Sequence, residues 1–156
     1  MTSGFRARFL GPSRASTCAE PLRSGPLERN VGDNIRLTMP ATAASVRIAR
    51  AGAVALATRA GFTYRQGEEL RLAVGEAAAL LAPGDDGRGA LEVVYTVEDE
   101  SLRVDLSLTD EGTAVTEVPD IAVAVLDASV DSWRVGDGGH RIVLRKHVPP
   151  EEADDD

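Results

Sequence analysis

Residues 70–81 have the sequence LRLAVGEAAALL, and this stretch decides the fold class. Its apolar residues recur every three or four positions, which places them on one face of an amphipathic α-helix: Leu70, Ala73, Val74, Ala77, Leu80 and Leu81. The helix should begin after Thr63, because Thr63 and Gln66 form the T-x-x-Q pattern of a capping box. Pro83 and the polar residues that follow it should end the helix.

The residues before this helix predict a strand and another helix. Ile35, Leu37 and Met39 alternate with polar residues, which is typical of a strand with one buried face. Residues 42–60 again carry apolar side chains at helical spacing, and Gly61 follows where a glycine C-cap belongs.

The residues after it predict a hairpin, a third helix and two closing strands. Residues 91–97 and 102–108 alternate apolar and polar side chains on either side of a short acidic turn, which indicates a β-hairpin. Pro119 is expected to be the first residue of a helix, and a turn at residues 136–139 separates the last two strands. The order β-α-α-β-β-α-β-β predicts an α+β, two-layer sandwich, with helices on one face of a mixed sheet of four to five strands.

Both ends of the chain differ in composition from this core. Residues 1–33 mix Gly, Pro, Ser and Arg without periodicity, which predicts a disordered basic arm. Its arginines suit either an acidic partner or a solvated tail, and an over-extended start codon is a further interpretation. Residues 149–156 are predicted to be an acidic, solubilising tail, so the predicted domain covers residues 34–148.

Composition excludes several classes of function. The net charge of −8 argues against direct nucleic-acid binding, which depends on clustered Lys and Arg. Cys18 is the only cysteine, so the chain has neither an intramolecular disulfide nor a cysteine cluster for a metal. No apolar run approaches the ~20 residues of a membrane span. We therefore expect a soluble, cytoplasmic protein.

The order of elements, together with three segments, resembles the anti-sigma-factor serine kinases. The segments are LRLAVGEA at residues 70–77, Asp-x-Gly at residues 110–112, and VDSW with GHRIVLRK near the end of the domain. These kinases belong to the ATPase and kinase superfamily of DNA gyrase, the ninety-kilodalton heat-shock proteins, histidine kinases and mismatch-repair ATPases. The resemblance covers residues 34–147 and implies the ATP-binding Bergerat fold of that superfamily.

The resemblance also implies where a nucleotide would bind. Glu76 matches the catalytic base of the family's Glu-x-x-x-Asn motif, but Leu80 replaces the asparagine that helps to coordinate Mg²⁺. Asp110 and Gly112 match the adenine side of the Asp-x-Gly-x-Gly motif, in which Ala114 replaces the second glycine. The alternative interpretations are a helix carboxylate without a catalytic role for Glu76 and a turn residue for Asp110.

Two further family features are altered. The phosphate-binding Gly-x-Gly corresponds to Asp120-Ile121-Ala122, which offers a negative charge where phosphates would lie. The nucleotide lid is reduced to residues 113–119. We therefore expect no bound cofactor, with ATP and Mg²⁺ as the ligands if the pocket still functions.

Arg47 and Arg50 lie on the first helix, where the family dimerises and binds its sigma factor, although a solvated helix face also explains them. The leading hypothesis is a regulatory protein of the anti-sigma-factor type. It would bind a sigma factor or the antagonist of an anti-sigma factor reversibly, as a homodimer, with nucleotide binding weakened or lost. The alternatives are an active ATP-dependent serine kinase that uses Glu76 as its base, and a non-catalytic dimerisation module.

Overall fold

The computed structural model describes residues 34–109 and 114–150. Within these ranges the chain forms the predicted series of strands and helices: β1 Asn34–Pro40, α1 Ala43–Arg59, α2 Tyr64–Leu81, β2 Ala90–Val97, β3 Ser101–Thr109, α3 Asp120–Ser129, β4 Ser132–Gly136 and β5 Arg141–His147. A short 3-10 helix, Asp137–Gly139, joins β4 to β5. The α+β class and the order of elements are confirmed. Pro119 is the N-cap of α3, one residue before the predicted position in the helix.

The described strands form one sheet in the order β1-β2-β3-β5-β4. The prediction of a mixed sheet is wrong, because every pair of neighbouring strands in the described ranges is antiparallel. The connection from β3 through α3 does place β4 parallel to β3. However, β5 lies between these two strands and pairs with both of them in the antiparallel direction.

The first two helices explain why β2 is antiparallel to β1. The chain leaves β1 at Pro40, passes along α1, and returns along α2 to the end of the sheet that it left. Pro40 is therefore opposite Ala90, the first residue of β2, and Ala41 N donates to Gly89 O at 3.2 Å.

A single apolar core lies between the helices and one face of the sheet. The predicted stripe of α2 is buried in it except at Leu80, which is partly buried, and Leu70, Val74 and Leu81 are fully enclosed. From the sheet, alternate residues of β2, β3 and β5 point into the same layer, among them Val93 and Leu106. This removal of apolar surface from water is the main force that holds the two layers together.

The predicted start of α2 and the predicted end of α1 are also confirmed. In the capping box of α2, Gln66 N donates to Thr63 Oγ1 at 3.3 Å and Thr63 N donates to Gln66 Oε1 at 2.9 Å. After α1, Gly61 has a φ of 88°, which a glycine adopts without strain. Phe62 N then donates to Ala57 O at 3.0 Å, the bond of a Schellman motif.

One buried polar contact joins the sheet to α1. The hydroxyl of Tyr95 donates to Ala49 O at 2.5 Å in the core. Gly52 leaves room for this ring, because a Cβ at that position would lie 3.1 Å from the Tyr95 hydroxyl oxygen. Burial also raises the pKa of Tyr95, so the hydroxyl keeps its proton and remains a donor.

We expect Tyr95→Phe to lower the free energy of unfolding by about 1 kcal/mol, the usual net value of one intramolecular hydrogen bond. Urea denaturation measures this difference. Tyr64→Phe is the matched control, because Tyr64 is 84% exposed and its loss should have no effect. Equal stabilities for Tyr95→Phe and the original chain would show that the contact contributes nothing.

Among the helices in the described ranges, none is both long and apolar enough to cross a membrane.

Candidate functional site

Glu76 and Leu80 lie on one face of α2, separated by one helical turn. Glu76 is partly buried and forms neither a hydrogen bond nor an ion pair with any residue in the described ranges. Leu80 is also partly buried, and it packs against the apolar core. A leucine has no oxygen or nitrogen with which to bind Mg²⁺, so Leu80 cannot serve as a metal ligand beside Glu76.

Asp110 and Gly112, the predicted adenine contacts, fall in residues 110–113 and lie outside the described residues. Their assignment stays a prediction.

The first turn of α3 contains the residues at which the resemblance placed a phosphate-binding motif. Asp120 and Ile121 are exposed there, whereas Ala122 is buried. The carboxylate of Asp120 lies in the first turn, where a negative charge stabilises the helix and repels a phosphate. Among the described residues, no side chain donates or accepts a capping hydrogen bond at this helix start.

Residues 114–119 connect the undescribed segment to α3, and the shortened lid was predicted here. Val115 N donates to Gly139 O at 2.8 Å, which fixes this connector to the turn between β4 and β5. Val115 also packs against the core. The described part of the connector is therefore held against the domain.

An ion pair that the sequence analysis missed lies near the same face of α2. Lys146 Nζ is 3.0 Å from Glu69 Oε2 and donates to Ser129 O at 2.8 Å. Lys146 is the only lysine in the chain and is 7% exposed. Its position was foreseeable, because the alternation of Ile142 and Leu144 continues to residue 146 on the inner face of β5. This pair links β5 to α2 and to the end of α3.

Stability at acid pH should depend on this pair. The hydrogen bond and the charge of Lys146 hold the pKa of Glu69 below its ordinary value. The resulting stabilisation is present above the ordinary carboxyl pKa and is lost as the pH falls through the lowered value. We expect Glu69→Gln to lower the free energy of unfolding by less than about 1 kcal/mol near neutral pH. Below about pH 5, the free energy of unfolding of this variant should fall less steeply with pH than that of the original chain.

Urea denaturation at several pH values checks this prediction. Glu117→Gln serves as the control, because Glu117 is exposed in the connector. If the free energy of unfolding of Glu69→Gln depended on pH as that of the original chain does, the ion pair would not contribute to stability at acid pH.

Arg47 and Arg50 line a groove on the outer side of the helix layer, which we call the α1 groove. Its cavity of about 480 Å³ is lined by Arg47, Arg50, Ala51, Val54, Ala55 and Arg71. Arg71 is supplied by α2 and pairs with Glu68 at 2.8 Å. The groove therefore combines a floor of small apolar side chains with guanidinium groups from two helices.

Arg50 is held in an unusual position. Its aliphatic part lies against α2 beside Gly75, where an added Cβ would be 3.0 Å from Arg50 Cδ. Its Nε is buried and has no hydrogen-bond partner in the described part of the chain. A buried donor without an acceptor costs about 1–3 kcal/mol, so this position of Arg50 lowers the stability of the domain.

The rest of α1 suits contact with another molecule. The helix contains no acidic residue, although the whole chain has a net charge of −8. Ile48 is 53% exposed on it, close to Arg47 in sequence. An exposed helix that carries apolar and cationic side chains without acidic ones would attract an acidic, partly apolar surface.

A metal centre is not evident in the described residues, which contain no group of three or more His, Cys, Asp and Glu side chains placed to hold an ion. Neither the protein-family models nor the curated protein sequences with which the chain was compared give a match.

Proposed function

We propose that this protein is a regulatory protein of the anti-sigma-factor type that acts by reversible binding of another protein at the α1 groove. Its sandwich would be a degenerate form of the ATP-binding fold of the gyrase and histidine-kinase superfamily. Nucleotide binding would be weakened or lost.

The observation that carries the proposal is the composition of the α1 groove. The guanidinium groups of Arg47, Arg50 and Arg71 lie there beside an apolar floor, and Arg47 is exposed. A partner carboxylate or carbonyl that contacted the outer guanidinium nitrogens would form charge-assisted hydrogen bonds. Binding would also cover Ile48, and the removal of this exposed apolar side chain from water would stabilise the complex.

The residues at the nucleotide motifs support the same proposal. Leu80 contributes to the core in place of a metal ligand, and Asp120 offers a negative charge to any phosphate. Each change weakens one contact that Mg-ATP needs, whereas neither affects the α1 groove.

The mechanism would be sequestration. A sigma factor would bind along α1, and an antagonist protein would release it by competing for an overlapping surface. The partner is expected to present carboxylates next to apolar side chains, the chemistry complementary to the groove. A second copy of the chain could bind the adjoining surface in a homodimer.

Affinity capture from the native host tests the proposal. The full chain is immobilised and the recovered proteins are identified by mass spectrometry, with an Arg47→Glu chain as the matched control. Recovery of a sigma factor or its antagonist by the original chain alone is the expected result. Recovery of neither would contradict the proposal.

The second candidate is an active ATP-dependent serine kinase, and the state of Glu76 favours it. A partly buried carboxylate without an ion-pair partner in the described residues is able to accept a proton from a hydroxyl. Phosphorylation of a co-purified antagonist, abolished by Glu76→Gln, would establish this candidate.

A further inference from the structure

The face of the sheet opposite the helices carries a cluster of arginines, which we call the sheet-face cluster: Arg103, Arg134 and Arg145. Arg103 on β3 and Arg145 on β5 are directly opposite one another in the strand register. Arg134 is on the neighbouring strand β4. The three residues line one cavity of about 200 Å³ together with Ser132.

Carboxylates of the described residues neutralise this cluster only in part. Arg145 Nη2 is 3.2 Å from Glu98 Oε1, and Arg103 Nη2 is 3.2 Å from Asp105 Oδ2. Asp105 is shared with Arg141, which contacts the same oxygen. Burial would raise the pKa of Asp105, but the hydrogen bond and charge of Arg141, with Arg103, hold it below its ordinary value.

Arg134 is exposed and forms no ion pair within residues 34–109 and 114–150. Like charges that lie directly opposite on neighbouring strands destabilise a sheet. An additional anion at this place would therefore reduce repulsion between Arg103 and Arg145 and would pair with Arg134.

The chain carries such anions a few residues beyond the cluster. Strand β5 ends at His147, two residues after Arg145, and Val148 N donates to Glu100 O at 2.8 Å. The described chain thus leaves the sheet at the end where the cluster lies. Residues 151–156, EEADDD, supply five carboxylates. An extended residue spans about 3.5 Å, so this segment begins about 10 Å of chain from Val148 and is able to reach the cluster.

We propose that the acidic segment, residues 151–156, binds in cis to the sheet-face cluster. The connection through residues 148–150 is short, so the effective concentration of the segment at the cluster is in the millimolar range or above. Weak individual ion pairs are then sufficient for substantial occupancy. The segment shields the cluster and competes with any acidic ligand that approaches this face.

Paramagnetic relaxation tests the proposal on the full chain. A nitroxide is attached at Ala153→Cys in a Cys18→Ser background, and backbone amide signals are recorded on ¹⁵N-labelled protein. We expect strong broadening at residues 132–134 and 143–145. Neutralising Arg134 and Arg145 with glutamine should lower the equilibrium constant for the bound segment about fivefold, the change that about 1 kcal/mol produces, and should therefore weaken this broadening. Salt at about 1 M, where the Debye length is ~3 Å, should abolish it.

Two controls locate the contact. An Arg47→Gln chain should broaden like the original, because Arg47 is exposed in the helix layer. The second control is a mixture of two chains, one with the nitroxide and no ¹⁵N, the other with ¹⁵N and no nitroxide. Broadening in this mixture would report contacts between copies, and we expect none.

The proposal is overturned if broadening is unaffected by the Arg134 and Arg145 substitutions. Broadening that appears chiefly in the mixed sample, or along α1, would overturn it equally. Because Arg134 is exposed and unpaired in the described ranges, its substitution should not affect folding.

Discussion

Gly139→Ala is expected to lower the free energy of unfolding by about 3 kcal/mol or more. Gly139 has a φ of 96°, which L side chains rarely adopt. An added Cβ would also lie 2.6 Å from Val115 O and 2.8 Å from Val115 N. The clash is with backbone that is itself bonded to Gly139, so relief requires the connector to move away from the sheet.

Two glycines of the same turn provide matched controls. Gly138 has a φ of 65° but no atom within 4 Å of its Cβ position, so Gly138→Ala should cost only about 1–2 kcal/mol of backbone strain. Gly136 has a φ of −136° and equally free space, so Gly136→Ala should change stability by less than about 0.5 kcal/mol. Urea denaturation of the three variants should give this order. Equal losses at positions 138 and 139 would contradict the close approach of the connector.

Arg47→Glu combined with Arg50→Glu is expected to weaken binding of the protein partner about a hundredfold or more. Charge reversal removes the donors that would meet the partner's acceptors, and it places two carboxylates against an acidic surface. Calorimetric titration with the partner recovered by affinity capture measures the change.

Weaker binding by these variants must be distinguished from a loss of folded protein. Arg50 packs beside Gly75, so its replacement affects the contact between α1 and α2. Arg47→Glu alone is therefore made as well, because Arg47 is exposed and should leave the free energy of unfolding unchanged. Arg134→Glu, on the opposite side of the sandwich, is the matched control and should bind normally. If Arg47→Glu and Arg134→Glu lowered the affinity for the partner equally, the cause would be the change in net charge and not contacts at the α1 groove.

Local patterns were sufficient to predict the helices and strands of this chain. The period of the apolar residues, the capping box at Thr63 and the glycine at position 61 each act within a few residues, and each is confirmed. The sheet type was not predictable in this way. It depends on the insertion of β5 between β3 and β4, which is a long-range choice of partner that no local pattern specifies.

The candidate site was predicted less completely than the fold. The sequence placed Glu76 and Leu80 on one helix face, and the resemblance drew attention to Arg47 and Arg50. The roles of Gly75 and Arg71 in the α1 groove depend on the register between α1 and α2, which the sequence does not display. The ion pair of Lys146 with Glu69 was missed because it joins a strand to a helix far away in the chain.

Thermal unfolding of the full chain with and without Mg-ATP tests most directly whether protein binding has replaced nucleotide chemistry. A ligand at about a hundredfold excess over its dissociation constant adds about 2.7 kcal/mol, which corresponds to a rise in Tm of roughly 10 °C for a domain of this size. We expect no rise with millimolar ATP, with or without Mg²⁺. A saturable, Mg²⁺-dependent rise that Glu76→Gln reduces would contradict the account and would favour the kinase.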